Sequence, residues 1–378
     1  MEMRQYRDTD VKVSLLGMGC MRLPKVDPEK EDIDYEKAQE IIDYAYANGV
    51  NYFDTAYGYH GGQSELFVGQ ALKKYPRESF FLASKMPIWC VKEKGDVERI
   101  FNEQLQRCQT DYFDFYLFHS QNAANFQKCQ EFGVYEFLSQ MKAEGKIRRL
   151  GFSFHDTPEV LRHICDTYPW DFAQIQLNYL DWEMQDAKAQ YQILNDREIP
   201  VIVMEPVRGG ALASPCEAAD ILFREERPDK SVASWAIRFA ASLPGVLTVL
   251  SGMSNMEQVR DNVDTMTRFE PLTDREREVI DEALEAYRKK DTVPCTGCRY
   301  CMDCPFGVDI PKMFSLYNHY VLDRDGEDYL EAYEAQPESE RADQCQACGA
   351  CMEKCPQHIR IPDQMVTIRE TVEKISTK

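Results

Sequence analysis

The chain has 378 residues, a hydrophobic fraction of 44% and a formal net charge of −20 from 64 acidic and 44 basic side chains. That length suits two or three domains, or one large domain with an appendage, and the apolar fraction is enough for a sizeable core. The charge argues against nucleic acid or an anionic membrane as a partner, since both select clustered Lys and Arg. The opening M-E-M-R-Q-Y-R-D-T-D holds no apolar signal core and no run nears membrane-spanning length, so a cytoplasmic protein is expected.

From about residue 11 to 266 one rhythm repeats: a short apolar run, a polar or glycine-rich turn, then a longer amphipathic stretch. The apolar runs are Val13–Leu16, Tyr52–Phe53, Phe80–Ala83, Phe113–Phe118, Arg149–Phe152, Phe172–Ile175, Val201–Met204 and Val246–Leu250. Helical patterns lie between them at Asp34–Asn48, Ser64–Lys74, Asp96–Cys108, Val134–Glu144 and Ser231–Ser242, and Thr157-Pro158 reads as an N-cap followed by Pro at the first helical position. Strands alternating with helices mean βαβ units and a parallel sheet. Eight units point to a closed (β/α)8 TIM barrel, and the lack of G-x-G-x-x-G after the first strand weakens an open dinucleotide-binding sheet. Polar residues stand where the runs end: Asp54, Lys85, His119, Ser153, Gln174, Asn178, Glu205 and Ser251. In a barrel those ends converge on one face, where sites lie.

After Asn262 the pattern changes. Thr273–Lys290 reads as a charged helix, Asp291–Pro294 as a linker, and the domains are expected to be 1–290, the barrel, and 291–378, a small, mainly helical module. Cys345, Cys348, Cys351 and Cys355 are spaced C-x2-C-x2-C-x3-C-P, the bacterial pattern for a [4Fe–4S] cluster, in which the fourth Cys usually serves a second cluster. The second set is Cys295, Cys298, Cys301 and Cys304, with Pro305 following and its last gap one residue shorter. Crossed ligation follows: Cys295, Cys298, Cys301 and Cys355 on one cluster, Cys345, Cys348, Cys351 and Cys304 on the other. Zinc is the competing reading, though it usually takes two separated C-x2-C pairs. Pro311–Tyr320 and Glu327–Ala335 read as helices between the sets, and about forty intervening residues suggest a helical ferredoxin module. Two clusters imply a reducing, low-oxygen setting. The other six cysteines, Cys20, Cys90, Cys108, Cys129, Cys165 and Cys216, read mostly as small buried hydrophobes.

Asp54 and Tyr59 share one strand-end loop, and Lys85 and His119 close the next two strands. An ammonium beside a phenol stabilises its phenolate, lowers its pKa and permits proton delivery. A carboxylate holds that ammonium in place, and a neutral histidine orients a carbonyl. The four together suit reduction of C=O with hydride from a separate cofactor. Here the chain resembles the aldo/keto reductases, with Asp54, Tyr59, Lys85 and His119 matching their tetrad. D-T-A-x-x-Y followed by G-G-Q-S-E is similar to their signature loop, and L-G-M-G-C-M-R-L-P (16–24) and S-G-M-S-N-M-E-Q-V-R-D-N (251–262) match their cofactor-side segments. The resemblance covers roughly residues 10 to 266, and the cysteine module likens the whole to the ferredoxin-fused branch.

The resemblance implies NADP(H) or NAD(H) bound without a Rossmann fold. It places Gly19, Cys20 and Met21 near the nicotinamide ribose, Ser153 and Gln174 at the carboxamide, and Ser251, Gly252, Ser254, Gln258 and Asn262 along the adenosine half; Asp54 and Met204 border the nicotinamide. Phe154 replaces the family's usual Asn, Met204 its stacking aromatic, and no Lys or Arg lies in Gly252–Met256 for a 2′-phosphate. Arg208 and Arg260 are the substitutes, against the plainer reading of solvated surface charges, and the departures leave a flavin open. His60, His155, Trp89 and Trp182 stand as substrate contacts or as simple loop and packing residues. The expected protein is an oxidoreductase that reduces a carbonyl or activated double bond of a small organic substrate. Its clusters serve a ferredoxin- or flavodoxin-like electron partner, or clamp the fold. The contrasting reading is an electron-transfer subunit with a scaffold barrel.

Overall fold

The computed structural model describes every residue except 28, 29, 289, 290, 303, 324 and 378; the side chains of 288 and 323 are also left aside. The last two residues of the helix expected over Thr273–Lys290 therefore lie outside the described residues.

Eight parallel strands close into a barrel: β3 (Leu16–Gly19), β4 (Tyr52–Asp54), β5 (Phe81–Met86), β6 (Phe113–Gln121), β7 (Ile147–Phe154), β8 (Phe172–Gln176), β9 (Val201–Met204) and β10 (Val246–Ser251), the last pairing back with β3. A hairpin of β1 (Met3–Gln5) and β2 (Lys12–Ser14) precedes it. Barrel strands are covered on both faces, which is why they read as near-continuous apolar runs. The interior is filled by Tyr52, Ala83, Phe115, Leu117, Phe172, Ile202 and Leu247, joined by Tyr6 and Val13 of the hairpin region. At Gly151 a Cβ would come within 2.5 Å of the Phe172 carbonyl, so only glycine lets β7 and β8 approach there.

Several strands run past the apolar runs. β5 takes in Ser84 and Lys85, β6 reaches Gln121, and β7 continues through Ser153. Helices follow as expected at Tyr35–Ala47, Gln63–Leu72, Lys94–Arg107, Val134–Ala143 and Val232–Ala241, with others at Ala123–Glu131, Ala187–Asp196, Glu217–Glu226 and Met256–Thr267. Asp34, Asn122 and Asn255 cap three of them by accepting from backbone N–H groups of the first turn. Pro158 does open its helix, but the Thr157 side chain makes no capping bond.

Compactness divides the chain into Met1–Pro206 with Ser234–Leu272, and Val207–Ala233 with Thr273–Lys378. This differs from a boundary at residue 290. The helix Asp274–Arg288 packs on Glu217–Glu226, tied by Arg227 to Glu276 at 2.9 Å and Arg275 to Glu226 at 3.4 Å. The rest of this unit holds helices Ile310–Asp323, Gly326–Glu334 and Ile361–Ser376 around a core that includes Val308, Met313, Phe314, Ile359 and Met365.

The two cysteine sets share a pattern of left-handed residues. Gly297 and Arg299 in the first set, and Ala347 and Gly349 in the second, adopt positive φ of 66°, 63°, 52° and 79°. Three residues after the last cysteine of each set comes another, Gly307 at 81° and His358 at 51°. The sequences C-P-F-G-V-D-I-P and C-P-Q-H-I-R-I-P then lead into the helices that begin at Ile310 and Ile361. The module is an internal repeat, and left-handed residues in its loops turn backbone N–H groups inward.

Candidate active site and cluster centres

Side chains alternate along a strand, so residues two apart share a face. The interior row Tyr52 therefore leads to Asp54, Ala83 to Lys85, and Phe115 and Leu117 to His119. Phe172 leads likewise to Gln174, and Ile202 to Met204. Tyr59 opens the turn Tyr59–Gly62 that follows β4. The Lys85 ammonium is fully buried and donates to Asp54 Oδ1 at 2.6 Å, the Thr55 carbonyl at 2.8 Å and the Tyr59 hydroxyl oxygen at 3.3 Å. The His119 ring lies edge-on to Tyr59 at 5.9 Å and 4.8 Å from Trp89, so Trp89, 46% exposed, borders the tetrad. Asp54 Oδ2 and His119 Nδ1 are buried without a hydrogen-bond partner.

Burial holds His119 well below its ordinary pKa, helped by the Lys85 charge, so its imidazole is neutral. Burial pushes the Asp54 carboxyl up, with Lys85 acting against it. The Tyr59 phenol goes against expectation. Burial, and then the carboxylates of Asp54 and Glu205, push it well above its ordinary value instead of lowering it. Tyr59 therefore stays protonated through neutral pH, as a proton donor must.

Behind Lys85 lies a buried network the sequence did not announce. Glu65 Oε1 accepts from Ser84 Oγ and Gln104 Nε2, each at 2.6 Å, and Gln104 also donates to the Lys85 carbonyl at 3.0 Å. Arg22 and Glu205, on loops after β3 and β9, pair at 2.8 Å. His60 serves its own loop. It is buried with φ +52° and its Nε2 accepts from the Leu23 N–H, fixing a neutral ring that pins the neighbouring loop. Trp182 packs on Tyr191 and Phe239. The backbone N–H of His155 bonds the Gln121 carbonyl.

The candidate nucleotide contacts gather at neighbouring strand ends. Ser153 and Gln174 are paired in register, and Ser153 Oγ accepts from the Ser120 N–H at 2.7 Å, leaving its hydroxyl hydrogen to donate. Gln174 Nε2 donates to Met204 Sδ at 3.4 Å, while its Oε1 is buried with no partner. A buried acceptor without a donor is costly, and a carboxamide N–H would satisfy it. Gly19 lies beside the Ser251 carbonyl, where an added Cβ would sit 3.5 Å away, and the buried Cys20 donates its N–H to the Asp54 carbonyl. Met21 follows in the same loop, half-buried. Ser251 Oγ accepts from Asn262, Ser254 N–H donates to Gln258 Oε1, and Gly252 abuts the Arg22 side chain. Arg260 is exposed over the Tyr44 ring. Arg208 is only 2% exposed and donates to the Pro294 carbonyl at 3.4 Å, so it is not the solvated charge its sequence position suggests.

Cys295, Cys298, Cys301 and Cys355 line one hollow with apolar walls from Pro311, Phe314, Ile359 and Ile361. The Gly297 N–H points at Cys295 Sγ at 3.4 Å. Burial lifts the Cys295 thiol to about 11; the Gly297 N–H acts against this, and Cys298 and Cys355 add to it. In the other group burial lifts Cys351, with Cys345, Cys304 and Cys348 adding to it. Cys295, Cys298, Cys301 and Cys355 thus share one hollow, Cys351 lies within electrostatic reach of Cys345, Cys304 and Cys348, and the Gly297 N–H at a thiol is of the kind that suits a cluster's sulfurs. Among the described residues no three His, Cys, Asp or Glu side chains are grouped so as to hold a single metal ion.

Residues 15–285 match the aldo/keto reductase family. The chain belongs to that family. Residues 294–360 match a 4Fe-4S dicluster domain, so this aldo/keto reductase carries an iron–sulfur module. Relatives include the NADH-specific methylglyoxal reductase of Escherichia coli (strain K12), 26% identical over 74% of this chain and 98% of the relative. L-galactose dehydrogenase of Arabidopsis thaliana is 27% identical over 72% and 90%. Among solved structures, the holo form of aldo-keto reductase AKR11C1 from Bacillus halodurans is 28% identical with a TM-score of 0.62, covering 75% of this chain and 96% of that one. As an aldo/keto reductase the chain is an oxidoreductase, and its family implies a nicotinamide cofactor. Among the described residues no helix is long and apolar enough to cross a membrane.

Proposed function

We propose that this enzyme reduces a carbonyl, or an activated double bond, of a small organic substrate with NADH or NADPH, and that its two [4Fe–4S] clusters are an electron port. The observation carrying the first part is the Lys85 ammonium, which donates at once to Asp54 and to the Tyr59 oxygen. An ammonium has no acceptor, so the Tyr59 oxygen receives a Lys85 hydrogen and its own O–H is directed elsewhere. That O–H is the proton delivered to the substrate oxygen; the nicotinamide supplies hydride to the carbon. Neutral His119 orients the carbonyl by donating a hydrogen bond, and Asp54 holds the Lys85 ammonium in place. Ser153, Gln174, Gly19, Cys20 and Met21 would hold the nicotinamide half, and Ser251, Gly252, Ser254, Gln258 and Asn262 the adenosine half. The names of the two relatives, a methylglyoxal reductase and an L-galactose dehydrogenase, support a small oxygenated substrate.

The electron-port role rests on two clusters, one more than a structural clamp needs, with a ferredoxin- or flavodoxin-like carrier outside. Anaerobic titration with NADPH and then NADH, followed by visible absorbance and EPR, is the test. Nucleotide binding is expected with at least one coenzyme, and bleaching of the clusters with a reduced-cluster signal supports the port and calls for a bound flavin, since nicotinamide gives two electrons as hydride and each cluster takes one. Binding with clusters left oxidised, and no reduction by a reduced ferredoxin either, leaves the clusters structural.

Crossed ligation carries its own prediction. Cys295→Ala and Cys355→Ala should each remove the same cluster, and the double variant should lose no more iron than either single one. Iron analysis with EPR decides this. A double variant without either cluster would mean each set serves its own cluster.

A further inference from the structure

The unit Val207–Ala233 with Thr273–Lys378 holds a buried arginine that the reductase chemistry does not use. Arg208 follows Glu205 by three residues and opens an R-G-G turn in which Arg208, Gly209 and Gly210 have φ of 50°, 65° and 101°. A non-glycine residue in the left-handed region is strained and is held there by its surroundings. Its guanidinium is 2% exposed, and arginines are rarely buried without anionic or carbonyl partners. One such partner is the carbonyl of Pro294, the residue directly before Cys295, which sets the guanidinium beside the backbone that leads into this cysteine. Arg299, which also lines the hollow of this cysteine group, is offset by Asp309 at 3.5 Å.

The two cysteine groups differ in their access to water. Cys301 is buried and Cys295, Cys298 and Cys355 are half-buried, whereas in the other group Cys348 is exposed and none is buried. An exposed Phe306 and Met352 flank that second group in sequence. Reduction makes a four-thiolate cluster more negative, so a nearby fixed cation stabilises the reduced form, and low dielectric around it strengthens the effect. Enclosure by itself opposes reduction, because low dielectric disfavours the added negative charge that water stabilises at the exposed cluster, so a fixed cation beside the enclosed cluster acts against that cost.

We propose that Arg208 raises the reduction potential of the cluster of Cys295, Cys298, Cys301 and Cys355, offsetting the cost of its enclosure, so that electrons entering at the exposed cluster can pass onto the enclosed one. This rests on the crossed ligation set out above. Each transfer moves one electron: the exposed cluster loses it, the enclosed cluster gains it, no proton moves, and a low-potential one-electron carrier replaces it.

The test is an EPR-monitored titration with dithionite and mediators on the full chain carrying both clusters. Arg208→Gln should lower one of two one-electron steps, changing its reduced-to-oxidised ratio at fixed potential about tenfold, which is about 59 mV, and leave the other step in place. Arg208→Lys, with a compact charge lacking the planar fork, should lower the same step by less. Unmoved steps in Arg208→Gln, or both steps moving together, overturn the proposal. If Arg208→Gln cannot hold the iron of two clusters, Arg208→Lys decides. One lowered step supports the tuning role; an unchanged step, or lost iron here too, assigns Arg208 to the fold of the module. No nucleotide or substrate enters this measurement, so an inactive barrel leaves it standing, and an active one does not rescue it.

Discussion

Tyr59→Phe should reduce kcat for carbonyl reduction about 10²- to 10⁴-fold, the range for removing a positioned acid, while KM and nucleotide affinity change little. The variant removes one oxygen, and the ring still packs beside His119. What is lost is the only hydroxyl to which Lys85 donates within the tetrad, and with it the proton for the developing alkoxide. An alkoxide is a stronger base than a phenolate, so a phenol held above its ordinary pKa still protonates it. Reduction should therefore stay level from pH 6 to 10, because burial and the nearby carboxylates move loss of the phenol proton above the ordinary tyrosine range. His119 should add no step near its ordinary value, because burial keeps it neutral. Steady-state kinetics from pH 6 to 10 on the parent and the variant check both points. Unchanged kcat in Tyr59→Phe would remove Tyr59 as the acid and shift attention to His119.

The barrel was legible because its chemistry is repetitive. Eight apolar runs separated by amphipathic stretches admit few other folds. The ends of the strands were harder to read. Lys85 and His119 read as closing their strands, and the structure carries β5 one residue further, to Met86, and β6 two further, to Gln121, because the barrel interior holds polar side chains where the site is built. Alternate residues lead to them, Ala83 to Lys85 and Leu117 to His119. The cluster module was legible from its cysteine spacing, and the repeated C-P-x-x-V/I-x-I-P was available in the same residues.

Charge was read least well. Arg208 looked like a surface cation for a phosphate, but its burial depends on Pro294, eighty-six positions away, and no local pattern reports that. The acidity of Tyr59 failed for a related reason. The sequence places a lysine nearby, but the burial and the carboxylates of Asp54 and Glu205 that raise the phenol, and the Arg22 charge that opposes them, come together only in the folded site. The grouping of Val207–Ala233 with the module is likewise a long-range outcome, set by packing of Glu217–Glu226 on Asp274–Arg288.

Lys85→Met should cost about 3–5 kcal/mol of stability and at least a hundredfold in kcat, two losses with one origin. Methionine matches the length and bulk of the lysine stem, so little packing is given up at this fully buried position. The electrostatics are not replaced. Asp54 is left buried with Oδ1 stripped of its donor and Oδ2 already without one, and the Thr55 carbonyl loses its donor as well. Asp54→Asn alone keeps the ammonium against Tyr59 but gives up the carboxylate. The double variant removes both charges and should be closer to the parent in stability than Lys85→Met is, because no lone buried ion remains. Its kcat should stay low, since the hydrogen that directs the Tyr59 proton toward substrate is gone. Chemical denaturation of the barrel with activity measured in parallel separates the two effects. Recovery of stability without recovery of kcat in the double variant is the result that assigns Lys85 to catalysis as well as to the fold. Recovery of both would make the pair structural.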